Sequence, residues 1–285
     1  IFIKPIGLSI NLVILIIIFL SGLFMYFFIK DISNSKKTGM IAAILYMTNP
    51  YLLYDIYVRM ALGEIISFAF LPLLFYGLYN IIYQDKKMWY LLTIGTAGLF
   101  LSHTISTLMI AIFALLFVLL NYKAVFKKET IKKLIIALGL AVILSLPTIL
   151  PLLEAKLSSD YMVFDSDYMR TTGIRMEEQA LHLFTKDILS QIVTGYVILI
   201  GIITIYLIKR KGQVSKINNQ CLILTIISIL LTLPFIPWSK LPNILSIFQF
   251  PWRFLMISSF FLASVIALLY EQIFSKKVLR YIPLI

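Results

Sequence analysis

The chain has 285 residues, of which 61% are hydrophobic and only 13% are charged. Soluble globular domains are about 45–50% apolar and about 25% charged, so one water-soluble core cannot bury this much apolar surface. A net charge of +12 would suit a nucleic-acid partner only if the basic residues covered one solvated face. Here they lie in short stretches between apolar runs, which predicts an integral membrane protein with membrane lipids and no nucleic acid as partners.

Apolar runs suited to crossing a bilayer recur along the whole chain. A transmembrane helix needs about 20 apolar residues, and the runs predict an all-α, polytopic bundle of about nine spans. In chain order they are residues 6–29, 39–48, 65–83, 89–101, 104–122, 134–153, 188–208, 221–238 and 254–270. The run 39–48 is short, so either its helix continues through residues 51–54 or this element is partly re-entrant.

The distribution of charge between the runs predicts the orientation. If every second loop is cytoplasmic, starting with residues 30–38, one face carries 17 basic and 4 acidic residues, and the other 8 basic and 9 acidic residues. Cytoplasmic loops carry an excess of Lys and Arg, so the N-terminus is predicted outside and the C-terminus inside. Because the chain starts at Ile1 and ends in a new apolar stretch at Ile285, we expect residues 1–285 to form one bundle within a longer protein.

The longest polar segment, residues 154–187, lies on the predicted outer face. A weak apolar stripe after Gln179 predicts a helix that lies on the membrane surface. Asp165 and Asp167 have a spacing that suits Mg²⁺ or Mn²⁺, but such spacing is also common in solvated acidic loops. A cysteine-based zinc site is not expected, because Cys221 is the only cysteine.

A first candidate site follows the second run. Asp55 and Arg59 are four residues apart, so on a helix they share a face and can pair. Glu64 opens the next span, where the helix dipole favours an anion. One interpretation is a salt-bridged interfacial loop. The other is a functional site, in which Arg59 binds phosphate in a bidentate way and a carboxylate acts as a base or metal ligand.

Two further polar positions lie at predicted outer ends of helices. His103 separates two runs and is either a hydrogen-bonded structural residue or a group that orients phosphate and transfers a proton. Trp252 suits an interface anchor. The adjacent Arg253 either reaches up to lipid phosphate or binds a lipid-linked phosphate.

Short motifs spread along the chain carry a family resemblance. They are Asn49-Pro50-Tyr51, Tyr57-Val58-Arg59, Gly63-Glu64, Pro72-Leu73, Ser102-His103 and Gln249-Phe250-Pro251-Trp252-Arg253. In this order they resemble bacterial multi-pass proteins labelled 6-pyruvoyl-tetrahydropterin synthase-related membrane proteins, which implies the bacterial cytoplasmic membrane. The label does not imply pterin chemistry, because the histidines needed for a zinc triad are absent from the sequence.

That family is distantly similar to the GT-C glycosyltransferases, which transfer a sugar from a polyprenyl-phosphate carrier on the outer face. The resemblance implies a GT-C-like fold and a polyprenyl-phosphate-linked sugar as partner. The essential carboxylate of GT-C enzymes usually lies in their first outer loop, and we expect that loop at or before the start of this chain. Within the chain, the hypothesis assigns catalysis to Asp55, Glu64 and His103. It assigns substrate or lipid-phosphate binding to the following residues: Tyr57, Arg59, Trp252 and Arg253.

Two other functions compete with the glycosyltransferase. A lipid or polymer transporter or flippase needs charged groups near the bilayer midplane, whereas the interiors of the predicted spans contain no Asp, Glu, Lys or Arg. A non-catalytic scaffold predicts that the outer polar residues tolerate substitution. The enzyme is favoured largely because of the family resemblance, and carboxylates, membrane-surface arginines and short helices on the predicted outer face also motivate it.

Overall fold

The structure, a computed structural model, describes residues 6–84, 87–158, 166–185, 201 and 215–274. Within these residues the chain forms helices and helical turns and no β-strand, which confirms the all-α prediction. The helices are α1 (Ile6–Ser33), α2 (Lys36–Met47), α3 (Pro50–Tyr54), α4 (Leu62–Tyr83), α5 (Tyr90–Ser102), α6 (Thr104–Leu120), α7 (Tyr122–Val125), α8 (Lys128–Ser158), α9 (Ser166–Thr185), α10 (Lys216–Leu230) and α11 (Phe254–Phe274).

Several of these helices are suited to a membrane. In the part of the chain that the structure describes, four are long and apolar enough to cross a bilayer: α1, α4, α8 and α11 with the turn before it. Three shorter apolar helices, α5, α6 and α10, accompany them. The predicted span 188–208 falls outside the described residues except for Gly201. A helical fold with four candidate membrane spans in the described residues is therefore confirmed, and the count of about nine spans and the GT-C-like fold stay predictions.

Helix ends follow the positions of proline and asparagine. The short second helix ends at Met47 and does not continue, because Asn49 accepts a hydrogen bond from the Leu52 N–H (2.9 Å) and starts α3 with Pro50 in its first turn. The helix α10 ends at Leu230, earlier than the predicted end at residue 238. Pro234 and Pro237 explain this difference, because proline cannot donate the backbone hydrogen bond that would prolong the helix.

The core lies around α4 and α11, which are mostly buried, whereas α1 and α8 expose most of their apolar surface. Phe260 of α11 stacks on Phe75 of α4 (ring centroids 5.2 Å apart) and on Phe28 of α1 (5.7 Å). Phe261 meets Phe75 edge-on at 4.9 Å, a geometry that aromatic pairs favour. These contacts fix the ends of α4 and α11 relative to one another, and the polar site is built at one pair of those ends.

Helices α4 and α5 approach closely because glycine lies on both. A Cβ atom added at Gly77 would lie 2.2 Å from the backbone nitrogen of Leu92, and one added at Gly95 would lie 2.4 Å from that of Leu74. Small residues allow helices to pack this closely within a membrane. The two glycines therefore set the spacing of this helix pair.

We expect Gly77→Ala to destabilise the bundle by about 1–3 kcal/mol, because the new methyl group overlaps backbone that cannot move independently. Gly139→Ala on α8 is the matched control, since a Cβ atom there would meet nothing within 4 Å, and alanine favours a helix over glycine. Thermal unfolding of both variants in detergent measures the difference. Equal melting temperatures for the two variants would show that the close approach of α4 and α5 is wrong.

Polar contacts join loops that the charge pattern assigns to the same face. At the predicted cytoplasmic end, the Tyr83 hydroxyl donates to Asn121 and Gln220, and the Gln220 amide donates to Asn121 Oδ1 (2.8 Å). At the opposite end, Glu177 Oε1 of α9 accepts from the N–H (2.8 Å) and hydroxyl (2.6 Å) of Ser239. These two contacts fit the predicted grouping of loops, while the alternation along the whole chain and which face is cytoplasmic stay predictions.

Candidate functional site

The candidate site begins in an irregular turn between α3 and α4. Asp55–Arg59 forms a π-helical turn, which ends at Met60 in a left-handed conformation (φ 51°). π-Helical turns and left-handed non-glycine residues are rare, and both are enriched at functional sites. The turn directs the side chains of Asp55 and Arg59 towards the first turn of α4, which carries Glu64.

Arg59 bridges two buried carboxylates. Its Nη1 atom donates to Asp55 Oδ1 at 2.5 Å, and its Nη2 atom lies 3.1 Å from Glu64 Oε2. The Asp55 and Glu64 side chains are 0% and 1% exposed, whereas that of Arg59 is 17% exposed. The pairing expected from the four-residue spacing of Asp55 and Arg59 is therefore present, and Glu64 joins the same guanidinium.

Tyr51 completes this arrangement. Its buried hydroxyl donates to Glu64 Oε1 at 2.5 Å and accepts from Arg59 Nη1 at 2.9 Å. Sequence reasoning did not place Tyr51 in the site, because aromatic residues at a membrane surface are ordinarily interface anchors. Its place in the motif Asn49-Pro50-Tyr51, a few residues before Asp55 and Arg59, is the sequence signal that could have found it.

Arg253 brings a second, distant segment to the same place. It ends the short turn Pro251–Arg253 before α11, and its Nε atom lies 3.6 Å from Glu64 Oε2. Its Nη1 atom donates to the Phe248 carbonyl (3.0 Å) and to Gln249 Oε1 (3.2 Å), while the guanidinium lies over the Phe250 ring. We call the five residues gathered here the arginine–carboxylate cluster: Tyr51, Asp55, Arg59, Glu64 and Arg253.

The cluster gathers two guanidinium groups and two carboxyl groups in a mostly buried site. Burying charges costs several kcal/mol per ion unless each is well paired, yet Asp55 Oδ2 has no hydrogen-bond partner among the described residues. Burial raises the pKa of Asp55 to about 8, with the Glu64 charge adding to the increase and Arg59 opposing it. A carboxyl group that titrates near neutral pH suits proton transfer.

His103 lies beside the cluster and caps a helix. Its Nδ1 atom accepts from the Ser106 N–H (3.2 Å) at the start of α6, and its ring is 3.3 Å from a Cβ atom built on Gly63. Burial lowers the pKa of His103, and the positive charge of Arg253 lowers it further. His103 therefore caps α6 next to the charged site, and a further role towards a substrate stays a prediction.

The other predicted site residues lie outside the cluster. Tyr57 is 79% exposed, and Trp252 is half-buried and stacks on Phe250 with ring centroids 4.6 Å apart. Within the described part of the chain, no group of three His, Cys, Asp or Glu residues is arranged to hold a metal ion. Asp165 and the side chain of Asp167 lie outside the described residues, so the expectation of Mg²⁺ or Mn²⁺ there is untested.

The helix α9 lies within the long polar segment and packs on the loop that carries Arg253. Gly173 is close to Ser246, Ser239 and Trp238, and Met176 is fully buried. Residues 154–158, predicted as loop, continue α8. Whether α9 also lies on the membrane surface stays a prediction.

Comparison with known proteins identifies the family. A family model described as "6-pyruvoyl-tetrahydropterin synthase related domain; membrane protein" matches residues 1–285. The chain belongs to this family. This 6-pyruvoyl-tetrahydropterin synthase-related chain is also 31% identical over 184 residues to an uncharacterized protein of Lactococcus lactis subsp. cremoris. The match covers 60% of this chain and 29% of the relative, so the chain spans less than a third of that protein. No solved structure matches this chain.

Proposed function

We propose that this membrane bundle is part of a GT-C-type glycosyltransferase that takes a sugar from a polyprenyl-phosphate donor on the extracytoplasmic face. The observation that carries the proposal is the arginine–carboxylate cluster. It gathers two guanidinium groups and the Asp55 carboxyl, whose Oδ2 has no hydrogen-bond partner within the described part of the chain, at helix ends that the charge pattern assigns to the outer face. A purely structural salt bridge would need neither the second arginine nor the unpartnered oxygen.

The surface next to Arg59 suits the lipid part of such a donor. Tyr57, Val58 and Met60 are 79%, 51% and 58% exposed, and they flank the partly exposed guanidinium in sequence. An isoprenoid chain would lie on these apolar side chains from the membrane side. Its phosphate would then reach Arg59, whose planar guanidinium matches two phosphate oxygens, while Arg253 and Trp252 approach from the loop before α11.

The chemistry divides among the members of the cluster. Asp55 takes the proton from the acceptor hydroxyl as that oxygen bonds to the anomeric carbon of the sugar. The bond from that carbon to the phosphate oxygen breaks, and its electron pair stays on the phosphate, where Arg59 and Arg253 stabilise the added charge. His103 orients the phosphate or passes the proton on to water. Glu64 accepts from Tyr51 and faces both arginines, so it positions them.

The test compares surface glycans of cells that make the protein, lack it, or carry one substitution. Arg59→Lys keeps the charge but loses the bidentate geometry, and we expect it to remove one sugar from the surface glycan, as deletion does. Arg175→Lys, at an exposed arginine of α9, is the matched control and should leave the glycan intact. Unchanged glycans in the deletion strain would overturn the proposal, and substrate uptake by vesicles with purified protein would favour a transporter.

A further inference from the structure

Glu64 is held in the way that a bound anion is held. Its Oε2 atom faces two guanidinium groups, at 3.1 Å from Arg59 Nη2 and 3.6 Å from Arg253 Nε, and its Oε1 atom accepts from the Tyr51 hydroxyl at 2.5 Å. The three donors come from separate segments, the start of α3, the π-helical turn and the turn before α11. Two guanidiniums and a hydroxyl are also the donors that proteins use to bind phosphate.

The carboxylate does not saturate this donor set. Arg253 Nε makes no hydrogen bond within the described residues, because its contact with Glu64 is longer than a hydrogen bond. A phosphate, with three terminal oxygens in a tetrahedral arrangement, can engage more of these donors than a planar carboxylate.

The site is also reachable from its surroundings. The Arg59 side chain is 17% exposed, whereas the groups it pairs with are almost completely buried. A ligand that approaches from the surface of the π-helical turn meets Arg59 first. It can then replace Glu64 at the two guanidinium groups without the helices separating. Tyr51 and Arg59 remain bonded to each other, and Arg253 remains bonded to Phe248 and Gln249.

We infer that Glu64 occupies the anion position of this site in the free protein, and that a phosphate ester binds by displacing its carboxylate from Arg59 and Arg253. Glu64 is then an internal competitor that makes the site selective for phosphate. A ligand with a carboxylate would only replace one carboxylate by another at the two arginines, with no gain in binding free energy. The identity of the phosphate as a lipid headgroup rests on the proposed function. The displacement itself does not require that any sugar is transferred.

The experiment measures binding of dodecyl phosphate and of inorganic phosphate to the purified protein in detergent, with dodecanol as the uncharged control. Glu64→Gln keeps the size of the side chain and removes the competing charge, so we expect phosphate to bind about tenfold more tightly, equivalent to about 1.4 kcal/mol. Glu64→Asp keeps the charge but shortens its reach to the arginines, and it should give a smaller increase. Tighter binding of dodecyl phosphate than of inorganic phosphate identifies a lipid headgroup, and equal binding identifies free phosphate.

Unchanged or weaker phosphate binding in both Glu64 variants would overturn the inference. If the Glu64 carboxylate competes with phosphate for the two arginines, weakening it must strengthen phosphate binding. If Glu64→Gln does not fold, the direction of the change in Glu64→Asp decides the question. Tighter binding in these variants together with unchanged surface glycans in the deletion strain would sustain the displacement and refute the transferase. The two proposals therefore fail separately.

Discussion

Replacing Arg59 with methionine is expected to lower the free energy of unfolding by about 3–5 kcal/mol, the usual cost of leaving a buried charge without its partner. Arg59 pairs with the side-chain carboxyl groups of both Asp55 and Glu64. Methionine fills a similar volume, so lost packing is small beside the lost charge. Thermal and denaturant unfolding in detergent measure the effect, with Arg175→Met on the exposed face of α9 as the matched control.

The same variant should depend on pH in a defined direction. Asp55 has a pKa of about 8 in the folded protein and about 3.9 when unfolded, so the folded state binds this proton more tightly. The contribution of the Asp55 proton to the free energy of unfolding is present at low pH. It is lost as the pH rises between about 4 and about 8. Without Arg59 the ionised carboxyl is unpaired, so the loss caused by Arg59→Met should be greater at pH 9 than at pH 5. An equal loss at both pH values would contradict the paired, buried Asp55.

Asp55→Asn is expected to reduce the rate of sugar transfer by about 10²–10⁴-fold, the usual contribution of a positioned general base. Asparagine keeps the shape and an oxygen that can accept from Arg59, but it cannot take a proton at neutral pH. Donor binding by the arginines should persist, so kcat should fall with little change in KM. Initial rates in membranes that contain the protein and a polyprenyl-phosphate-linked sugar measure this.

Glu178→Gln is the control for Asp55→Asn, since it makes the same chemical change at an exposed position of α9. Its rate should equal that of the unchanged protein. Transfer that is undiminished in a folded Asp55→Asn variant would exclude Asp55 as the base. A rise in KM with kcat unchanged would instead assign Asp55 to donor binding.

The parts of this fold that follow from local sequence were predictable. Long apolar runs predicted α1, α4 and α11, because a helix that long and apolar has few alternatives to a membrane. The spacing of Asp55 and Arg59 predicted their ion pair, because residues four apart meet on any helix. The break at His103 was likewise predictable from the polar pair Ser102-His103 between two apolar runs.

The parts that depend on distant contacts were not predictable. Arg253 meets Glu64 only because α11 packs against the bundle through rings such as Phe260, and no pattern within either segment encodes that meeting. The π-helical turn at Asp55–Arg59 reorients side chains relative to an α-helix, which periodicity does not reveal. For the same reason the sequence did not place Tyr51 in the site, although its hydroxyl bridges Glu64 and Arg59.

The arginine–carboxylate cluster and α9 are expected to face the cell exterior, opposite the lysine-rich loop 123–133. Since Cys221 is the only cysteine and is buried, single cysteines can be introduced in a Cys221→Ser background and labelled in whole cells with a membrane-impermeant maleimide. Both test positions, Arg175 on α9 and Phe126 in the loop, are exposed. We expect Arg175→Cys to react in intact cells and Phe126→Cys to react only after permeabilisation. Labelling of both in the same compartment would contradict the topology and the site built on it.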